Sequence, residues 1–267
     1  MKGRVNRMKR HIAALIVIWT LTATANVSPH HGTLSSINLG ARYSSILQNR
    51  GVIQYRDFQL DPVVAFFFFD DKLEFLGDSI GYRDFIFNDQ IRLRSRIVSI
   101  SANPLFPNYE SSHAATPERP DTYEWSNRLE IFLPGYSDRY MAEIDLGIAK
   151  DLSAHHGTYF DLQAKYKLFD FQALPTKIKI EPNLFAAAGW GDLDHNRYFY
   201  GPTADAEGLN NFSYGLWFAF PDEADRFYPI IQVTHFETLG TNRMAQYAQN
   251  NSDGWLVSFI ATYGVLE

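Results

Sequence analysis

Residues 158 to 168 read Thr-Tyr-Phe-Asp-Leu-Gln-Ala-Lys-Tyr-Lys-Leu, and this strict alternation constrains the chain more than any other feature. In an extended strand successive side chains point to opposite sides. Phe160, Leu162, Ala164, Tyr166 and Leu168 therefore share one face, while Asp161, Gln163, Lys165 and Lys167 share the other. Two further segments repeat the pattern. Tyr140, Ala142, Ile144, Leu146 and Ile148 oppose Met141, Glu143, Asp145 and Gly147, and Ile178, Ile180 and Leu184 oppose Lys177, Lys179, Glu181 and Asn183. A soluble β-sandwich also alternates, but its strands usually run about five or six residues. Strands of about ten with charge opposite the apolar face fit a sheet whose apolar side meets lipid and whose polar side lines an interior.

The N-terminus supplies a route to a membrane. Lys2, Arg4, Arg7, Lys9 and Arg10 form a basic stretch, Ile12 to Leu21 is apolar, and Ala23-Thr24-Ala25 offers a small-x-small cleavage site. The apolar run is shorter than the roughly 20 residues of a spanning helix, so residues 1–25 read as an export signal and 26–267 as the mature domain. Met8 is an alternative start that keeps this signal, and with no Cys near the cleavage site the chain is not read as a lipoprotein. Beyond the signal the longest wholly apolar run is Val63 to Phe69, again too short for a helix to span. Entry into a bilayer then requires a closed barrel, because only closure satisfies every backbone donor and acceptor in lipid. The 15% aromatic content suits the girdles such barrels place at both interfaces.

Removing the signal takes five of 24 basic residues and none of the 30 acidic ones, leaving 19 against 30 and a net charge of −11. That balance argues against nucleic acid as a partner. With no Cys, disulfides and thiolate metal sites are excluded.

Strands are predicted at about 35–47, 60–69, 72–87, 90–101, 123–133, 139–150, 158–168, 176–188, 196–201, 210–220, 227–236 and 254–265. The expectation is an all-β antiparallel transmembrane barrel of about 12 strands, within roughly 10–14, in the outer membrane of a Gram-negative bacterium. Asp70-Asp71 and Asn88-Asp89 read as turns. In the fourth segment Ile91, Leu93 and Ile97 oppose Arg92, Arg94 and Arg96, and the apolar parity then switches to Val98 and Ile100, as at a bulge or a strand end.

Three stretches carry a family likeness. The extended segment from Arg56 through Pro62 into a Phe-rich strand and "DDKLEFLGDSIGYR", then "KDLSAHHGTYFDL" at 150–162, then "HNRYFYGPTADA" at 195–206, follow one another in order. Together they resemble the MltA-interacting protein (MipA/OmpV) family over roughly residues 36–265. The resemblance implies an outer-membrane barrel without catalytic residues, described in some members as a scaffold between a murein transglycosylase and a murein synthase, a penicillin-binding protein. The chain departs from that family at its end, Tyr263-Gly264-Val265-Leu266-Glu267, where an aromatic residue would close the last strand.

The first functional reading is accordingly a scaffold or interaction barrel in contact with outer-membrane lipid, and the alternative is a narrow channel for small solutes. The alternation makes Arg92, Arg94, Arg96, Glu143, Asp145, Asp161, Lys165, Lys177, Lys179 and Glu181 lumen-facing candidates. The Pro-rich segment 102–122 offers Phe106, Tyr109 and the adjacent Tyr123 as aromatic anchors for a partner. Counting four strands before it places this segment at the same barrel end as the termini.

No enzyme activity, cofactor or metal is expected. Gly77-Asp78-Ser79 is a three-residue match to a lipid hydrolase and lacks a Gly-x-Ser-x-Gly elbow, so it reads as a strand with small residues. His155 and His156, with Asp151 or Asp161, contain metal-ligand chemistry, but adjacent strand residues face opposite ways, and a polar turn closed by Gly157 is the better reading. His30-His31, near the start of the mature chain, is likewise not read as a metal site. Glu143 with Asp145, or Glu181 with Asp161, could form an acid/base pair, although carboxylates among Arg and Lys more often form an interior ion-pair network.

Overall fold

In the computed structural model the alternating segments close into one antiparallel barrel. Described are residues 34–45, 47–50, 52–55, 59–87, 89–100, 120–134, 140–169, 171–173, 178–221 and 227–266, so the expected export signal lies outside the described residues. In chain order come β1 (Leu34–Ser44), a small hairpin of β2 (Leu47–Asn49) and β3 (Val52–Tyr55), β4 (Gln59–Phe68), β5 (Leu73–Leu76), β6 (Ser79–Phe87) and β7 (Ile91–Ile100). Then follow β8 (Thr122–Pro134), β9 (Tyr140–Asp151), β10 (Thr158–Lys167), the short β11 (Phe171–Ala173) and β12 (Ile178–Gly191). Helix α1 (Leu193–Tyr200) precedes β13 (Gly208–Ala219), β14 (Phe227–Thr238), a 3-10 helix (Thr241–Met244) and β15 (Asp253–Leu266).

Twelve of these strands form the wall, because β2 and β3 pair only with each other and β11 pairs only with the first residues of β12, in line with β10. Each neighbour along the chain pairs antiparallel with the next, β10 passes to β12 through Phe160↔Trp190 to Lys167↔Asn183, and β15 returns to β1 through Tyr43↔Phe259. No edge is left open, so the ladder satisfies the backbone all round.

The twelve arise from two offsetting departures from the sequence expectation. The single strand expected over 72–87 is two, β5 and β6, because Leu76 pairs with Ser79 across a two-residue turn at Gly77-Asp78, with Gly77 at φ +49. Gly-Asp between alternating segments is a hairpin signal, and the Gly-Asp-Ser triplet is that turn rather than a strand interior. The strand expected over 196–201 is instead α1. Its N-cap Asp192 accepts from the His195 amide at 2.9 Å, Asp194 sits in its first turn, and Gly201 at φ +107 ends it. These are helix start and stop signals, and the Tyr198-Phe199-Tyr200 run masked them with β-forming aromatics.

One consequence is topological. Five wall strands precede the 101–121 connection, not four, so it emerges at the end opposite both termini. The same end carries 45–58, 77–78, 152–157, 192–207 and 239–252, while the termini end carries 69–72, 88–90, 135–139, 168–177 and 220–226. Long connections thus gather at one rim, the asymmetry found in outer-membrane barrels. At the termini rim the expected Asp70-Asp71 turn has Phe69, Asp70 and Asp71 at φ 54, 56 and 63. The Asp71 amide donates to Ser35 Oγ at 3.1 Å and Arg83 donates to the Asp71 carbonyl at 2.8 Å, which holds this left-handed stretch.

Burial follows an inverted pattern. Leu39, Leu93, Leu146, Leu162, Leu216 and Phe259 point outward and are exposed, whereas Glu74, Glu130, Asp145, Thr234 and Ser258 point inward and are buried. Aromatic rings cluster near both rims of the outer face, with Trp125, Phe160, Trp190 and Trp255 toward the long connections and Phe87, Tyr166, Phe227 and Tyr263 toward the termini. This is the girdle arrangement of a lipid-facing barrel. The buried apolar cluster lies at the long-connection rim, where Phe199 and Tyr200 of α1 pack with Ala204, Ala245 and Ala248.

That cluster also explains the parity switch in β7. Pairing with β8 runs from Ile91↔Ile131 to Ile100↔Thr122 without a shift, so no bulge marks the switch on that side. Ile100 ends the strand and packs against the α1 cluster, so the inner wall turns apolar where it meets this cap.

Candidate functional site

The inner wall carries a network of ion pairs across β5 to β10 and β12. It begins at Glu74, fully buried on β5, which lies 3.0 Å from Arg94, 3.8 Å from Arg96 and 3.9 Å from Arg83. Arg94 also reaches Glu130 on β8 at 3.2 Å, and Arg92 pairs with the same carboxylate. On the next strands Arg128 holds Asp161 at 2.6 Å and lies 3.9 Å from Asp145. Lys165 bridges Glu143 at 2.9 Å and Asp145 at 3.2 Å, and Glu181 takes Lys179 at 2.6 Å and Lys167 at 3.6 Å. The network forms because alternate residues of neighbouring strands stand side by side on one face, which brings opposite charges within reach.

Nine of the ten lumen-facing candidates therefore sit in this network, and Lys177 lies outside the described residues. The carboxylates weighed as acid/base pairs are each tied to cations, Glu143 and Asp145 sharing Lys165 while Asp161 and Glu181 take different partners. Glu74, Arg83, Arg128 and Glu130 belong to the network without having been singled out in the sequence. Glu74 was hidden because its strand is four residues long, and Arg128 and Glu130 because β8 alternates polar with charged inside. Beyond this arc the inward positions of β13–β15 carry no charge, with Thr234, Phe236 and Ser258 buried.

Above the network a cap fills the long-connection rim. Arg50, in the turn between β2 and β3, places its guanidinium 2.7 Å from Glu124 and 3.6 Å from the centre of the Tyr159 ring. Tyr200 donates from its hydroxyl to the Arg50 carbonyl at 2.9 Å, and the Ile53 amide donates to the Asn251 carbonyl at 2.9 Å. Stacking of Tyr159 on His195 at 4.7 Å and of His155 on Tyr198 at 4.4 Å joins the segment 150–162 to the segment 195–206. Two glycines permit this approach. A Cβ on Gly189 would stand 1.7 Å from the Tyr159 hydroxyl, and one on Gly157 would stand 2.3 Å from the His195 amide nitrogen. Below α1 the amides of Asn196 and Asn242 both donate to the Ala206 carbonyl, at 2.6 and 3.2 Å.

The cap brings together a metal-like set that sequence reasoning did not assemble. Candidate ligand atoms of Glu124, His155 and His195 lie within 4.8 Å of one another. The Gly157 amide donates to His155 Nδ1 at 3.0 Å, so a neutral ring carries its proton on Nε2, which faces Asp151 at 3.3 Å. Glu124 already holds the Arg50 guanidinium. The set is thus arranged around the protein's own cation. As expected, His155 and His156 lie in a polar turn closed by Gly157. Asp151 there accepts from the amides of Ser153, His155 and His156 at 2.9–3.0 Å. Burial pushes the His155 imidazole below the ordinary histidine range, against the opposing pull of Asp151, and burial pushes the Tyr200 hydroxyl up.

The docking candidates fare differently. Phe106 and Tyr109 lie outside the described residues, and Tyr123 stands exposed at the start of β8, on the same outward face as Trp125. Ser79 opens β6 opposite Leu76 and Val98. A groove of about 410 Å³ on the outer face, lined by Ile80, Ser95, Ile97, Trp125 and Leu152 with Arg96, lies outside the lumen.

No family model matches the chain, so the MipA/OmpV resemblance gains no support there, and no curated protein matches it. Among solved structures, the NanC porin aligns with 85% of this chain and 98% of its own at 8% identity and a TM-score of 0.40. An outer-membrane channel from Pseudomonas putida aligns with 90% of this chain and all of its own at 11% identity and a TM-score of 0.39. At these scores the likeness adds nothing to the barrel described above.

Proposed function

We propose that this protein is an outer-membrane channel of narrow bore for small solutes, constricted at its long-connection rim by the cap. The observation that carries the reading is the inner wall. Ion-paired side chains run along seven consecutive wall strands, and their cationic members keep part of their surface exposed, as a polar conduit requires. A barrel serving only as an anchor has no need for such a wall. The cap explains why the bore is narrow, since Arg50, Tyr159 and Phe199 meet across the mouth.

The scaffold reading draws less support. If the termini face the periplasm, as in bacterial outer-membrane barrels, the 101–121 connection faces the outside, away from any murein enzyme. Docking of such an enzyme would then fall to the short turns and to 168–177. The deciding experiment is single-channel recording in planar bilayers with folded, heat-modifiable protein. Discrete small conductance steps are expected, larger in Arg50→Ala, which frees the cap from Glu124 and Tyr159. Absence of conductance in both proteins would return the scaffold to first place.

A further inference from the structure

The described wall network holds eight cations and six carboxylates, and the two signs are not equally placed. Arg83, Arg92, Arg94, Arg96, Arg128 and Lys165 keep 18–25% of their side-chain surface exposed. Their wall partners Glu74, Glu130 and Asp145 keep 0–3%, as does Glu124 beside Arg50 at the cap. Glu181 keeps 6% behind Lys167 and Lys179. The long cationic side chains reach past the carboxylates, which are buried behind them and pair with Arg or Lys. Only Glu143 and Asp161 among these carboxylates show comparable surface, 23% and 19%.

We infer that the lumen selects for small anions, of the carboxylate- or phosphate-bearing kind that guanidinium groups recognise, an inference that rests on the channel reading. An ion in the bore meets guanidinium and ammonium groups at contact distance and, apart from Glu143 and Asp161, carboxylates only behind them. Coulombic interaction falls with distance, so near charges outweigh far ones. In a narrow bore little mobile salt intervenes to screen them. Rings of Arg and Lys are the usual means of passing anions, and the arginine fork suits carboxylate and phosphate oxygens. The uncharged inward face of β13–β15 offers no competing cation site.

The test is the reversal potential across a KCl gradient in planar bilayers. Wild-type protein is expected to pass chloride in preference to potassium. In the double variant R92Q/R96Q both buried carboxylates keep Arg94, at 3.0 Å from Glu74 and 3.2 Å from Glu130, so the barrel retains its pairing while losing two accessible cations. The anion preference should fall by about two-fold or more in it. E143Q removes an accessible carboxylate while Lys165 keeps Asp145 at 3.2 Å, and should raise the preference. Heat-modifiable migration of each variant checks folding. Conductance with a cation preference, or one unchanged in folded R92Q/R96Q and E143Q, overturns the inference and leaves the channel standing. No conductance removes both.

Discussion

Leu162 offers the most direct test of which face meets lipid. It is 49% exposed, on the outer face of β10, and follows Asp161 on the inner face. Thr158 opens the strand at the long-connection rim and Lys167 closes it near the termini rim. At about 3.3 Å per residue and a tilt of about 40°, Leu162 sits roughly 10 Å below that first rim, near the middle of an apolar band about 25 Å tall. An arginine at that depth on the lipid side costs about 2–4 kcal/mol. Gln163 is the matched control, one residue further along at nearly the same depth but inward, in register with Asp145. Leu162→Arg should therefore lose about 2–4 kcal/mol and Gln163→Arg less than about 1 kcal/mol. Reversible denaturant unfolding of barrels folded into lipid vesicles measures both. Equal losses, or a larger loss for Gln163→Arg, would refute the face assignment.

Three further outcomes follow from the same geometry. Glu74→Gln leaves Arg83, Arg94 and Arg96 crowded around a neutral amide, so the barrel should lose about 3–5 kcal/mol in denaturant unfolding, and a loss below about 1 kcal/mol would mean the pairing contributes little. His155 is held below its unfolded pKa, chiefly by burial, so the unfolded cap takes up the proton first. Its contribution is complete above about pH 6.5 and is lost as pH falls through that value toward the folded pKa, so proteolysis within 152–157 and 192–207 should rise from about pH 7 to pH 5. His155→Phe, which keeps a ring beside Tyr198, should flatten that dependence, and an unchanged profile would locate the titration elsewhere. Ser111→Cys in this Cys-free chain should react with a membrane-impermeant maleimide on intact cells, and labelling only after lysis would reverse the orientation of the barrel.

Fold class was legible because a single barrel wall makes two demands on every strand, lipid on one side and polar interior on the other. β9 and β10 show both without interruption, and their boundaries and faces could be read directly, whereas β12 runs to Gly191, past the expected end at 188, because Phe185 to Gly189 carry no alternation. Two features were hidden for physical reasons. The β5–β6 turn is only Gly77 and Asp78, too brief to interrupt an alternation that continues on either side. Helix α1 carries aromatic side chains because it fills a cap core, and local composition cannot distinguish an aromatic helix in a cap from an aromatic strand in a girdle. The candidate site was half legible. Alternation assigned the charges to the inner face, but which charge lies in front depends on side-chain length and on pairing across strands far apart in sequence, such as Glu74 with Arg94 and Arg128 with Asp161.

The separation of the apolar core from the wall has a functional consequence. In a soluble β-sandwich the strands are held by the core between them, so loosening the core loosens everything. Here the ladder closes on itself and the wall is cross-linked by ion pairs, while the cluster of Phe199, Tyr200, Ala204, Ala245 and Ala248 lies at one rim, with Ile100 of β7 packed against it. The cap ties to the wall at several points, among them Arg50 with Glu124, His195 with Tyr159, Tyr200 with Asn211 at 3.3 Å, and Asp192 with the Thr158 amide at 2.7 Å. A rim unit with its own small core can open at a lower free energy than the whole molecule unfolds. The mouth can therefore change state while the lumen keeps its geometry. On the channel reading proposed above, selectivity belongs to the wall and access to the cap, so substitutions at Arg92, Arg96 or Glu143 should alter which ions pass, and substitution at Arg50 how many.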